Sequence, residues 1–163
     1  MMTKKIKNVI INGKYAPAQY REKDNFLGQL RHFNSVIDLP WCLIGDFNEI
    51  ASLGEKKGGL TYLLSKYARL NSFINEINAI SVPSSGNCFT WKKKIRTNLV
   101  YERLDRAIIM SDWLNIYPES IVTHGQFTCS DHCPIVLTIG PPNQRRKNFP
   151  FRFQNAWCQY QQV

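Results

Sequence analysis

A chain of 163 residues with 44% hydrophobic and 12% aromatic content is long enough for one domain with its own core, which excludes wholesale disorder. A net charge of +9 and a pI near 9.5 favour polyanionic partners, such as nucleic acid or an anionic membrane surface. No run of about 18 apolar residues occurs and Val9-Ile10-Ile11 is too short for a signal-peptide core, so neither membrane insertion nor secretion is expected.

The odd set of five cysteines contains no Cys-x-x-Cys pair, which fits reduced thiols in an intracellular setting, nucleus or cytoplasm. Cys129 and Cys133 flank His132, but zinc binding would need a matching second pair, and none exists.

Lys7 to Tyr15 alternates around Val9 and Ile11 and reads as a strand closed by Ala16-Pro17. From Gln19 to Ile37, Phe26, Leu30, Phe33 and Ile37 form one helical stripe, which Asp38-Leu39-Pro40 ends. Trp41 to Gly45 is the next strand, giving a strand-helix-strand order and an α/β class. Glu49 to Leu60 is a loop carrying Gly54, Gly58 and Gly59 with Glu55, Lys56 and Lys57. Tyr62 to Ile80 is expected to be a helix with Leu63, Tyr67, Leu70, Phe73 or Ile74, and Ile77 on its core face. Val82 to Asn87 is a turn cluster, Cys88 to Trp91 a short strand, and Lys92-Lys93-Lys94 with Arg96 a basic loop. Leu104 to Met110, Ile121 to Phe127 and Pro134 to Ile139 read as strands, with a helix start at Ser111 and a loop over Cys129 to Cys133. Pro141-Pro142 closes the packed region. Residues 1–140 are therefore read as the domain and 141–163 as a basic, aromatic tail.

Chemistry can be placed at four points. Asp46 and Asn48 follow an apolar strand; alternation would set both toward one space while Phe47 packs the other way. An acid beside an amide can orient a water or hold a phosphate. His132 is the natural base or transition-state stabiliser, and Asp105 or Asp131 could fix its tautomer. The competing reading of Asp105 is a surface ion pair with Arg103 or Arg106.

Taken in order, Gly45-Asp46-Phe47-Asn48, Phe89-Thr90-Trp91, Arg103-Leu104-Asp105-Arg106 and Ser130-Asp131-His132-Cys133-Pro134 resemble the endonuclease/exonuclease/phosphatase superfamily. Within it the chain resembles the apurinic-type endonuclease domain of plant LINE-type (non-LTR) retrotransposons. Tyr15-Ala16-Pro17, Glu55-Lys56, Gly58-Gly59, Trp113 and Phe151-Arg152-Phe153 with Trp157 add to the likeness. The resemblance covers about Tyr15 to Trp157, and its last residues are similar to a segment leading toward a reverse transcriptase.

That resemblance implies a DNase I-like four-layer fold, two face-to-face β-sheets flanked by helices, represented mainly by its C-terminal half. It implies Mg²⁺-dependent phosphodiester cleavage of DNA, with RNA as the alternative polyanion. Asp46 would activate water, Asn48 would hold it, His132 would bond the scissile phosphate with Asp105 orienting it, and Asp131 would lie near the metal. Tyr15 would contact a phosphate, and Lys56, Lys57, Trp91, Lys92, Lys93, Lys94 and Arg96 would contact DNA. The front of the chain departs from the pattern. Only fourteen residues precede Tyr15, none of them acidic, so the family's metal-binding glutamate has no counterpart. The expectation is an N-terminally truncated copy with weak or absent nuclease activity. Two alternatives remain open: a non-catalytic nucleic-acid-binding fragment, and a phosphatase of the same superfamily.

Overall fold

The computed structural model describes residues 3–6, 9–59 and 64–140. In chain order its elements are β1 (Thr3–Ile6), β2 (Val9–Tyr15), α1 (Tyr20–Val36), β3 (Trp41–Asp46), β4 (Lys56–Lys57), α2 (Leu64–Glu76), β5 (Ala79–Ser81), β6 (Ser84–Gly86), β7 (Trp91–Ile95), β8 (Asn98–Glu102), β9 (Asp105–Met110), α3 (Ser111–Ile116), β10 (Ile121–His124) and β11 (Ile135–Thr138). The 141–163 tail and the side chains of Leu63 and Tyr67 lie outside the described residues.

The main sheet has the order β1-β2-β3-β9-β5, with β2 and β3 parallel and β9 antiparallel to β3. Its central strands β3 and β9 are buried on both faces, as strands covered on both sides are. Leu43 and Ile108 face one way, into a core with Leu27 and Leu30 of α1 and Leu70, Phe73 and Ile74 of α2. Cys42, Ala107 and Ile109 face the other way, into a second core with Val122 of β10 and Trp113 of α3. This second core joins the main sheet to a three-stranded sheet of order β11-β10-β6. The result is an α/β sandwich of two sheets with helices on one outer face. Among the described residues no helix covers the outer face of the second sheet, where Ile121 and Val136 are exposed.

Three expectations are corrected. The second helix stops at Glu76: Asn78 takes a left-handed conformation (φ 52°), and Ala79 and Ile80 turn back as edge strand β5. The basic loop is a β-hairpin, β7–β8, in which Lys92, Lys93 and Lys94 are strand residues paired with Tyr101, Val100 and Leu99. Arg96 sits in its turn at φ 56°. The turn cluster at 84–86 is a strand, β6, parallel to β10.

Candidate active site

The site lies where the two sheets part at the ends of β2, β3 and β9. Tyr15 is in register with Asp46, and Asp46 with Asp105, so the three form one row across adjacent strands. Phe47 N–H donates to Leu104 C=O, which makes the neighbouring Asp46–Asp105 pair the close, non-hydrogen-bonded kind. Both carboxylates face the gap between the sheets, the side of Cys42, Ala107 and Ile109. The residue before Asp46 has to be glycine. Gly45 sits at φ 149°, and a Cβ there would meet the Lys14 carbonyl oxygen at 1.9 Å.

His132 enters the row from the loop between β10 and β11. A backbone bridge to Trp91 fixes its place, and its Nδ1 lies 2.9 Å from Asp105 Oδ2. Asp46, Asp105 and His132 each offer a ligand atom within 4.8 Å of the others. Arg103 and Arg106 do not pair with Asp105. Both bind Glu55 instead, and Arg106, fully buried, spans Glu55 Oε1 and Oε2 at 3.1 and 2.8 Å. Burial pushes the Glu55 carboxyl up, but the Arg106 charge and hydrogen bonds outweigh it and hold Glu55 below the usual range. Asp105 is thereby left to His132.

Asp46 is 7% exposed, its Oδ1 accepts the Asn48 N–H at 2.7 Å, and its Oδ2 is buried without a partner. Burial raises its pKa above the ordinary aspartate value; the Asn48 N–H opposes this and the Asp105 charge adds to it. Asn48 does not continue the strand. It adopts φ 50°, and its side-chain Nδ2 donates to Ala16 C=O at 2.8 Å, so a turn, not strand alternation, brings it beside Asp46. Asp131 is exposed and points elsewhere: it accepts from the Trp91 indole N–H at 3.2 Å and stands outside the Asp46–Asp105–His132 group. Tyr15 is 74% exposed at the rim.

The lysines divide. Lys56 is half-buried and its ammonium is paired with Glu102, so it is a structural cation and differs from the expected DNA contact. Lys57, Lys93, Lys94 and Arg96 are exposed; Lys92 lies over the Phe127 ring at 4.6 Å, and Trp91 is half-buried at the hairpin base.

Two further residues matter to which the sequence reading gives no role. Thr90 is fully buried; its Oγ1 accepts the N–H groups of Leu104 and Asp105, and its carbonyl accepts the Cys133 N–H. It therefore ties the Asp105 strand to the His132 loop. Its only signal in the sequence is its place between Phe89 and Trp91. Lys23, on the inner side of α1, is 8% exposed and donates to the Asn48 carbonyl. A lysine between two polar neighbours on a helix carries no sequence signal of burial.

A divalent cation can be tested against this donor set. Asp46 Oδ1 and Asp105 Oδ2 are engaged by Asn48 and His132, which leaves one carboxylate oxygen on each residue, including the orphaned Asp46 Oδ2. Mg²⁺ is commonly held by one or two carboxylates, with waters and substrate phosphate completing six ligands. The set fits such a loosely held ion.

No family model and no curated protein matches the chain. Solved structures do share its fold. The endonuclease domain of TRAS1, a telomere-specific non-LTR retrotransposon, aligns with a TM-score of 0.59 and 15% identity over 80% of this chain. The 3′ phosphatase NExo from Neisseria, bound to a product DNA hairpin, aligns with a TM-score of 0.61 and 13% identity over 85% of this chain. Cytolethal distending toxin from Actinobacillus actinomycetemcomitans aligns at 0.50 with 14% identity over 84% of this chain. The chain spans 56%, 63% and 51% of those structures respectively. The fold of this chain is the DNase I-like two-sheet α/β fold of the endonuclease/exonuclease/phosphatase structures.

Proposed function

We propose that the chain carries a Mg²⁺-assisted, phosphodiester-cleaving DNA site of the non-LTR retrotransposon endonuclease type, with slow turnover. The observation that carries this reading is the row Tyr15–Asp46–Asp105 capped by His132 at 2.9 Å from Asp105. A phosphodiester cut needs an activated water, charge neutralisation at the phosphate and a stabilised leaving oxygen.

Asp46 takes the water's proton, a task suited to a carboxylate whose pKa burial has raised. Asn48, held by Ala16, presents its amide oxygen to the same water. Asp105 holds the His132 ring through Nδ1, which fixes its orientation and presents Nε2 to a phosphate oxygen, to which the protonated ring donates. Tyr15 supplies a phenol to a phosphate at the rim, and Lys57, Lys93, Lys94 and Arg96 meet the DNA backbone. Mg²⁺, held by Asp46 and Asp105, would offset the charge of the scissile phosphate. Two protein oxygens make a weak metal site, which supports slow turnover and a need for high Mg²⁺.

The test is a short duplex labelled at one 5′ end and incubated with Mg²⁺. Internal cuts support the reading. Loss of a terminal phosphate alone would favour the phosphatase alternative, to which the likeness to a 3′ phosphatase lends support. Binding that weakens steeply with salt and no cleavage would favour the non-catalytic alternative.

A further inference from the structure

Behind the site, on the helix side of the loop 47–50, stands a cluster of buried charges that the chemistry above does not use. Glu49 is 8% exposed; its Oε2 lies 3.9 Å from Lys23 Nζ of α1 and its Oε1 4.0 Å from Arg69 Nε of α2. Arg69 is itself held to α1: its guanidinium stacks on Tyr20 at 3.9 Å, reaches the Tyr20 carbonyl and pairs with Asp24 at 3.6 Å. Lys23 also donates to the backbone carbonyl of Asn48. Its side chain lines a cleft of about 190 Å³ shared with Tyr20, Asn48, Glu49 and Glu102.

Buried charges without excellent pairing are costly, and Lys23 spends its burial on a carbonyl of a residue in the left-handed conformation. A non-glycine residue at φ 50° persists only when its surroundings hold it there. The surroundings here are three: Asp46 Oδ1 on the Asn48 N–H, Ala16 C=O on its side chain, and Lys23 on its carbonyl. Only the last comes from a helix.

We propose that Lys23, braced by Glu49 and Arg69, is a positioning residue that locks the Asn48 turn and so aims the Asn48 side chain at the reacting water. The helices α1 and α2 thus set the geometry of a site to which they contribute no reacting atom. The kinetic side of this proposal rests on the nuclease reading; the conformational side does not.

The experiment is a double-mutant cycle on DNA cleavage with Lys23→Met, Asn48→Ala and the pair, together with hydrogen exchange at the Asn48 amide. Lys23→Met is expected to lower kcat roughly 10–100-fold with little change in KM. In the Asn48→Ala background the same change should cost less than about twofold, because the residue it positions is gone. Lys23→Arg should restore most of the rate, and Lys23→Gln takes the place of Lys23→Met in the cycle if the latter does not fold. Multiplying losses, or a KM effect alone, would overturn the proposal. If the wild type cuts no DNA, the nuclease reading has failed and hydrogen exchange decides: at least about tenfold faster exchange at Asn48 in Lys23→Met supports the lock. Unchanged exchange overturns it.

Discussion

Replacing Thr90 by valine keeps its shape and its backbone bonds and removes one acceptor, Oγ1. That oxygen takes the N–H groups of Leu104 at 3.0 Å and Asp105 at 2.9 Å. Both donors belong to buried residues, and the valine methyl offers them nothing in exchange. An orphaned buried N–H costs about 1–3 kcal/mol, so two predict a loss of roughly 2–6 kcal/mol. At a few degrees per kcal/mol for a domain of this size, the melting temperature should fall by roughly 5–15 °C. Urea unfolding of the two proteins measures this directly, with a lower midpoint and an unchanged slope. Thr90→Ser should retain most of the stability. A Thr90→Val loss below about 0.5 kcal/mol, the range of ordinary surface changes, would refute the claim that Thr90 anchors the Asp105 strand.

Three other outcomes are expected. Glu55→Gln leaves Arg106, fully buried, without its counter-charge and should cost about 3–5 kcal/mol by urea unfolding, whereas Glu76→Gln in the exposed pair with Arg31 should cost next to nothing. The folded-state pKa of Asp46 lies above its unfolded value, so its ionised form opposes folding; stability from this group rises as pH falls through the folded pKa, while cleavage, which needs the carboxylate, declines over the same window. Asp46→Asn should therefore be inactive yet no less stable at neutral pH, as unfolding curves will show. Lys93→Ala, Lys94→Ala and Arg96→Ala at the hairpin should each weaken DNA binding across all sequences and reduce the salt slope by about 1 for each phosphate no longer neutralised, measured by titration at several salt concentrations.

Much of the frame is legible in the sequence because it rests on local pattern. The stripe of Phe26, Leu30 and Phe33 marks α1, and the apolar run from Trp41 marks β3, since burial on one or both faces imposes a period that residues show directly. The hairpin β7–β8 escapes such reading for the converse reason. Ile95 and Leu99 are exposed, its lysines sit in the strand itself, and its buried positions are one valine and one glutamate, Val100 and Glu102, so the alternation carries almost no apolar signal. The second helix reads too long because Ala79 and Ile80 extend its apolar pattern; the break comes from the backbone of Asn78.

In the site, the glycine before Asp46 is a readable sign, since the chain passes too close to Lys14 for a side chain. The partner of Asp105 is named by the family resemblance but by no local pattern. Arg103 and Arg106 are near in sequence, and only the fold shows that both turn to Glu55, 51 residues from Arg106, leaving Asp105 to His132, 27 residues away. The same holds for Lys23 and Lys56, whose ammonium groups are buried by contacts with residues 25 and 46 positions distant. Pairings of this kind are set by register and packing, which no local pattern encodes.

The central claim is that Asp46, Asp105 and His132 form one phosphodiester-cleaving site. Nicking of supercoiled plasmid DNA, followed in rising Mg²⁺ for the wild type, Asp46→Ala and His132→Ala, tests it most directly. The prediction is slow, Mg²⁺-dependent conversion to open circles that both substitutions abolish. Nicking that survives either substitution, or its complete absence at every Mg²⁺ concentration, would contradict it.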